Sequence, residues 1–194
     1  LQGLRNSGGA LLNVLALLAG EGLGMSRDQK VVAAGAAIGV AAMLLAMGLL
    51  STRLPPPAGV ETLADRLAYA ARWLAFAALP LFAMVAAVGN ARFLGEAIDP
   101  TRGAEDPSMI VNGRVADNTT QQFLLFAAGL LGLAASLAPE RMGVIRAAAI
   151  VFVAARLVFW IGYRIHPLYR APGFASTAYL NLGLLLAAVW LAVD

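Results

Sequence analysis

The chain has 194 residues, 60% of them apolar and only 13% Asp, Glu, Lys or Arg, with a mean hydropathy of +0.77. Soluble domains carry about 25% charged and about 45–50% apolar residues, so a water-soluble globular fold is excluded. There are no cysteines and a single histidine, His166, which removes disulfides, iron–sulfur clusters, thiolate metal sites, cysteine nucleophiles and multi-histidine metal centres. The net charge of +3 comes from fourteen basic and eleven acidic residues. The basic ones are scattered between apolar stretches, so no nucleic-acid partner is expected.

Taken in chain order, residues 6–20 are apolar but shorter than the roughly 20 residues that a bilayer crossing needs, and they read as a peripheral or re-entrant helix. Uncharged stretches long enough to cross follow at 31–50, 73–91, 118–139 and 171–193. A further span is expected over 142–163, with Arg146 near one end and Arg156 deep inside. The run Leu54, Pro55, Pro56, Pro57 cannot continue a helix. Residues 95–113, which contain Pro100 and Pro107, read as a polar loop, and 164–173, with Pro167 and Pro172, as a short turn. The expected fold is an all-α integral membrane protein of five spans in contact with membrane lipid. Gly35 and Gly39 form a small-xxx-small step of the kind that lets helices approach closely, within a chain or between copies.

Arg and Lys are unevenly shared between the two sides. Arg5, Arg27, Lys30, Arg92, Arg102, Arg114, Arg164 and Arg170 fall on one, and Arg53, Arg66, Arg72, Arg141 and Arg146 on the other. The positive-inside rule then makes the N-terminus cytoplasmic. Tyr69, Trp73, Trp160, Tyr163 and Trp190 lie near span ends, where amphipathic rings favour the headgroup zone.

Polar groups inside spans are where function is sought, because the bilayer penalises them. Arg114, Asn118, Gln121 and Gln122 share one helix face at i, i+4, i+7 and i+8. Arg156, Phe159, Tyr163 and Arg170 repeat the arrangement at the end of the next span. Both clusters fall on the side assigned to the cytoplasm. Guanidinium, amide and phenol groups gathered there suit a small anionic, peptide-like ligand, since guanidinium pairs carboxylates bidentately. The same residues also fit a structural reading, with Arg114 and Arg170 as positive-inside charges, the amides bonding neighbouring helices and Tyr163 as an interface anchor. Arg156 reads as a structural ion-pair or carbonyl contact, and His166 as a solvated loop residue. There is no glycine-rich phosphate loop, no Gly-x-Ser-x-Gly and no His-Glu-x-x-His.

The run RVADNTTQQF at 114–123, with ARLVFWIGY at 155–163, RAPGF at 170–174 and VGNARF at 88–93, resembles the MAPEG family of membrane proteins in eicosanoid and glutathione metabolism. Within it, the chain is similar to bacterial members with an extra N-terminal span. The likeness covers about residues 70 to 194. It divides the chain into an N-terminal peripheral helix and first span at 1–60 and a MAPEG-like four-helix transmembrane domain at 61–194. It implies a homotrimer in a bacterial inner membrane, with glutathione held between adjacent subunits near the cytoplasmic surface; a larger membrane complex is the other expected assembly. Activity would be glutathione transferase- or peroxidase-type on lipophilic substrates. By the same resemblance Arg114, Asn118, Gln121 and Tyr163 contact glutathione, with help from Arg92, and Arg170 stabilises its thiolate. Two positions depart from the family pattern: Gln121 stands where Glu is usual, and Phe159 where glutathione-binding synthases carry Tyr. A non-catalytic membrane subunit with a degenerate thiol site is the alternative they support.

Overall fold

The computed structural model describes residues 24–99, 101 and 103–193, so the helix expected at 6–20 lies outside the described residues. Five helices follow in order: α1 (Arg27–Arg53), α2 (Leu63–Leu94), α3 (Pro107–Ser136), α4 (Gly143–Ile165) and α5 (Ala171–Val193). All five are long and apolar enough to cross a membrane. Their starts are written into the sequence. Ser26 and Gln29 form a capping box on α1, and Thr62 and Asp65 form another on α2, each satisfying amide donors that the first helical turn leaves unpaired.

One boundary differs from the sequence expectation. The polar loop read over 95–113 ends at Asp106, because α3 begins at Pro107. Proline at a first helical position has no amide hydrogen to waste and a φ already suited to the helix. The Asp106 carboxylate accepts the Met109 amide at 2.8 Å. Arg114 therefore sits about two turns inside a helix, on the same rod as Asn118.

Helices α2 to α5 form a four-helix bundle. α2 packs on α3 and α4, α5 packs on α3 and α4, and α3 also meets α4. Towards the end where α3 finishes and α4 starts, the core is apolar. Phe126 and Phe152 stack there with ring centroids 4.3 Å apart, among Leu130, Met142 and Ile145, all fully buried. Towards the other end a smaller apolar cluster holds Met84, Val115, Phe159 and Tyr163. Large apolar side chains such as Ile38, Leu44, Phe82 and Leu186 remain outside, as lipid-facing helices require. Trp160, expected as a headgroup anchor, donates its indole N–H to Asn112 Oδ1 on α3 at 3.0 Å. Tyr69 and Tyr163, read the same way, are buried.

α1 lies outside the bundle, against α5 and α4. Gly35 and Gly39 make that contact, so the small-residue step serves packing within the chain. A Cβ on Gly39 would overlap the Pro172 carbonyl, and one on Gly35 would come within 3.2 Å of the Pro172 ring. The Ser176 hydroxyl reaches across to donate to the Gly39 carbonyl at 2.8 Å. Gly39→Leu is therefore expected to lower the detergent melting temperature by an overpacking penalty of about 1–3 kcal/mol. Gly48→Leu is the control, since a Cβ there meets nothing within 4 Å. Equal behaviour of the two variants would show that α1 is not docked through Gly39.

Candidate functional site

The residues singled out on α3 and α4 converge because of how α4 ends. Gly162 lets the chain fold back on itself, as a Cβ there would strike the Tyr169 carbonyl. His166 caps the tight turn Pro167–Arg170, its Nδ1 accepting the Leu168 amide at 3.2 Å. His166 is thus a turn-forming residue. The turn returns Arg170 to Tyr163, where its guanidinium donates to the phenol oxygen at 3.1 Å and lies 5.0 Å from the ring centre. α5 then starts at once, and Gly173 lets it touch the α4 backbone at Ala155 and Phe159.

The result is a cavity of about 540 Å³ lined by Arg114 and Asn118 of α3, Phe159 and Tyr163 of α4, Arg170 of the turn and Phe174 and Tyr179 of α5. Val32 and Ala36 of α1 complete the wall. No carboxylate belongs to this lining, so the cavity is cationic at Arg114 and Arg170. The Phe159 and Tyr163 rings stack at 5.9 Å with nearly parallel planes, and Phe174 lies 6.4 Å from Phe159. One side of the cavity is thus aromatic and the other offers hydrogen-bond donors. Such a volume falls in the range of about 300–1,000 Å³ typical of small-molecule sites.

Two residues expected with these stand elsewhere. Arg92 pairs with Glu105 at 2.6 Å and lines a separate cavity of about 500 Å³ between α2 and α3, with Glu105, Asp117 and the other side of Arg114. It is drawn there because the loop after α2 brings Glu105 back beside the last turn of that helix. Gln121 is exposed and does not line the 540 Å³ cavity. It lies on the Arg114 face of α3, two turns further along, at a height where its side chain is exposed. Its neighbour Gln122 is buried and faces α5, with its side-chain oxygen accepting from Asn181 Nδ2 at 2.8 Å.

Behind the cavity lies a layer that the sequence reading found only in part. Arg156 is fully buried and has no carboxylate partner among the described residues. Its guanidinium donates to Asn118 Oδ1 at 3.1 Å, Thr119 Oγ1 at 2.7 Å and Thr177 Oγ1 at 3.1 Å. It also lies 4.0 Å from the centre of the Phe159 ring. The expected ion pair is thus replaced by hydroxyls, an amide and an aromatic face. Thr119, Thr177 and Asn181 were the missed members. Their signal was available as polar residues at helical spacing, Thr119 beside Gln122 and Thr177 four before Asn181, in otherwise apolar stretches.

The chain matches the MAPEG family model over residues 68–190 and belongs to that family. No curated protein and no solved structure matches it. The matched region contains α3, α4 and most of α2 and α5 but leaves out α1, which nevertheless supplies two cavity residues.

The register of α3, and with it Arg114 and Asn118, starts from the Asp106 cap. Hydrogen bonds from the Met109 amide and from Ser108 hold the Asp106 carboxyl below the usual carboxylate range. Stability from this cap is present above an unfolded-state pKa of about 3.9 and is lost as pH falls through the lower folded-state value. Wild type is expected to melt above Asp106→Asn at pH 6, with the gap closing below about pH 4. A gap that stays constant with pH would rule out the charged cap.

Proposed function

We propose that this MAPEG-family protein binds glutathione or a related thiol in the 540 Å³ cavity and uses it in transferase- or peroxidase-type reactions on lipophilic substrates. The observation that carries the reading is the gathering of Arg114, Asn118, Tyr163 and Arg170, from two helices and a turn, on one cavity without a carboxylate. Arg114, Asn118 and Tyr163 bind the carboxylates and peptide groups of the thiol ligand. Arg170 stands beside its sulfur. A guanidinium there lowers a thiol pKa from about 8.5 and raises the thiolate fraction at neutral pH. In the transferase reaction the thiolate sulfur donates its electron pair to an electrophilic carbon, and the group leaving that carbon departs with the electrons of its bond. Phe159 and Phe174 offer the lipophilic substrate an aromatic surface next to the donors, and such a substrate arrives from the bilayer.

In this reading the protein works as a homotrimer, or within a larger membrane complex, in a bacterial inner membrane. The side rich in Arg, which carries the cavity, is cytoplasmic, in keeping with the charge asymmetry. A second reading, a non-catalytic membrane subunit, is favoured by the outward position of Gln121 and by Phe159, which brings no hydroxyl to the cavity wall.

Calorimetric titration of glutathione into the purified protein separates the two. Binding is expected in wild type, and Arg170→Ala is expected to weaken it by roughly 10- to 100-fold, as for a lost hydrogen bond to a charged group of about 1.5–3 kcal/mol. Undiminished binding in Arg170→Ala would remove the role given to that residue. Absence of binding in wild type, with stable co-purification of another membrane protein, would establish the subunit reading instead.

A further inference from the structure

We infer that Arg156, which does not line the cavity, decides what the cavity can recognise: by holding the Asn118 carbonyl oxygen it makes the amide N–H groups the face that Asn118 presents to a ligand. A guanidinium has five N–H donors and no acceptor, so only an oxygen satisfies it at the 3.1 Å contact with Asn118. The rest of the network has no freedom to reverse. Thr119 gives its hydroxyl proton to the Val115 carbonyl at 2.7 Å, and Thr177 gives its own to Gly173 and Phe174 carbonyls at 3.0 Å. Both hydroxyls must therefore receive from Arg156, and every bond around the guanidinium runs outward from it.

Asn118 is the member of this network that also lines the cavity. With its oxygen turned inward to Arg156, its Nδ2 is left for the ligand. Apart from the Tyr179 phenol, which can donate or accept, the other polar side chains of the lining have the same sense. Arg114 and Arg170 only donate, and the Tyr163 oxygen already accepts from Arg170, leaving its proton to give away. The cavity is a surface of donors, with a third guanidinium lodged behind the Phe159 ring. Its ligand is an acceptor-rich anion, and a cationic or donor-rich molecule of equal size is refused. Arg156 is in this sense a positioning residue, acting through Asn118. The ligand class deepens the thiol-binding reading and rests on it, whereas the orientation of Asn118 stands on the network alone.

Two measurements test this, one with no ligand. Asn118→Asp sets a carboxylate oxygen where Arg156 already holds a carbonyl oxygen, so its melting temperature in detergent should equal or exceed that of wild type, while Asn118→Leu, of similar size, should melt several degrees lower. A melting temperature for Asn118→Asp below that of Asn118→Leu would overturn the orientation, and no Arg156 variant has to fold for this to be seen.

The second measurement is glutathione affinity in a double-mutant cycle. Arg156→Lys keeps the charge but cannot span three acceptors, and it should weaken binding about tenfold in wild type yet less than twofold in an Asn118→Ala background, since it acts through Asn118. Equal losses in both backgrounds would show general damage and overturn the positioning role. Asn118→Asp should itself bind glutathione at least tenfold more weakly, because its second oxygen faces the anion; unchanged affinity there would likewise count against it. If wild type binds no glutathione, the thiol-binding reading fails, while the melting comparison still decides how Asn118 is turned.

Discussion

A permanently charged guanidinium enclosed by membrane-spanning helices is the constraint around which this bundle is arranged. Arg is expensive at mid-depth, by about 2.5–3.5 kcal/mol on insertion scales, and an unpaired buried charge costs more still. Arg156 has no counter-ion among the described residues, so its burial there depends on three oxygens and one ring. These come from α3 through Asn118 and Thr119, from α5 through Thr177, and from its own helix through Phe159. The two neighbouring helices are thereby fixed to α4 in rotation and in height. One turn further along, Gln122 and Asn181 repeat the device between α3 and α5, with Asn181 Nδ2 donating to both oxygens of Gln122. In lipid there is no hydrophobic force between helices, and hydrogen bonds of this kind, with close packing, define the register.

The five spans were legible because hydropathy over about 20 residues reports directly on bilayer thickness. The grouping of Arg114, Asn118, Tyr163 and Arg170 on one side of the membrane was legible in another way, through helical spacing and the likeness to a family, but not that Asn118 and Tyr163 meet within one chain. Their meeting nevertheless depends on Gly162 and Gly173, whose part is visible only when the backbones they admit are in view. The start of α3 was missed since Asp106-Pro107 looks like loop chemistry on its face, although it also fits a helix N-terminus. The pairing of Arg92 with Glu105, thirteen residues on, leaves no periodic trace in the sequence. Thr119 and Thr177 were overlooked since hydroxyls that bond back to their own helix carry little hydropathy signal, and only the distance to Arg156 shows that they also serve as acceptors. The Gly35–Gly39 step was legible as a contact, but not as one made to Pro172 of the same chain.

The division of labour between the helices follows from these contacts. α3, α4 and the turn before α5 carry the charged and amide groups, and their positions are tied to the buried polar layer. α1 carries none of them. It is held by backbone approach at Gly39, by the Ser176 hydroxyl and by Met43 seated in the apolar core, and what it brings to the cavity is the shape of Val32 and Ala36.

Recognition of charge and control of access are therefore written on separable parts of the chain. Because Val32 and Ala36 line the cavity without supplying a hydrogen bond, side chains there can change in size without removing a donor. A lineage that keeps its anion-binding chemistry fixed has in α1 a place to explore new hydrophobic co-substrates, one residue at a time, at little risk to the fold.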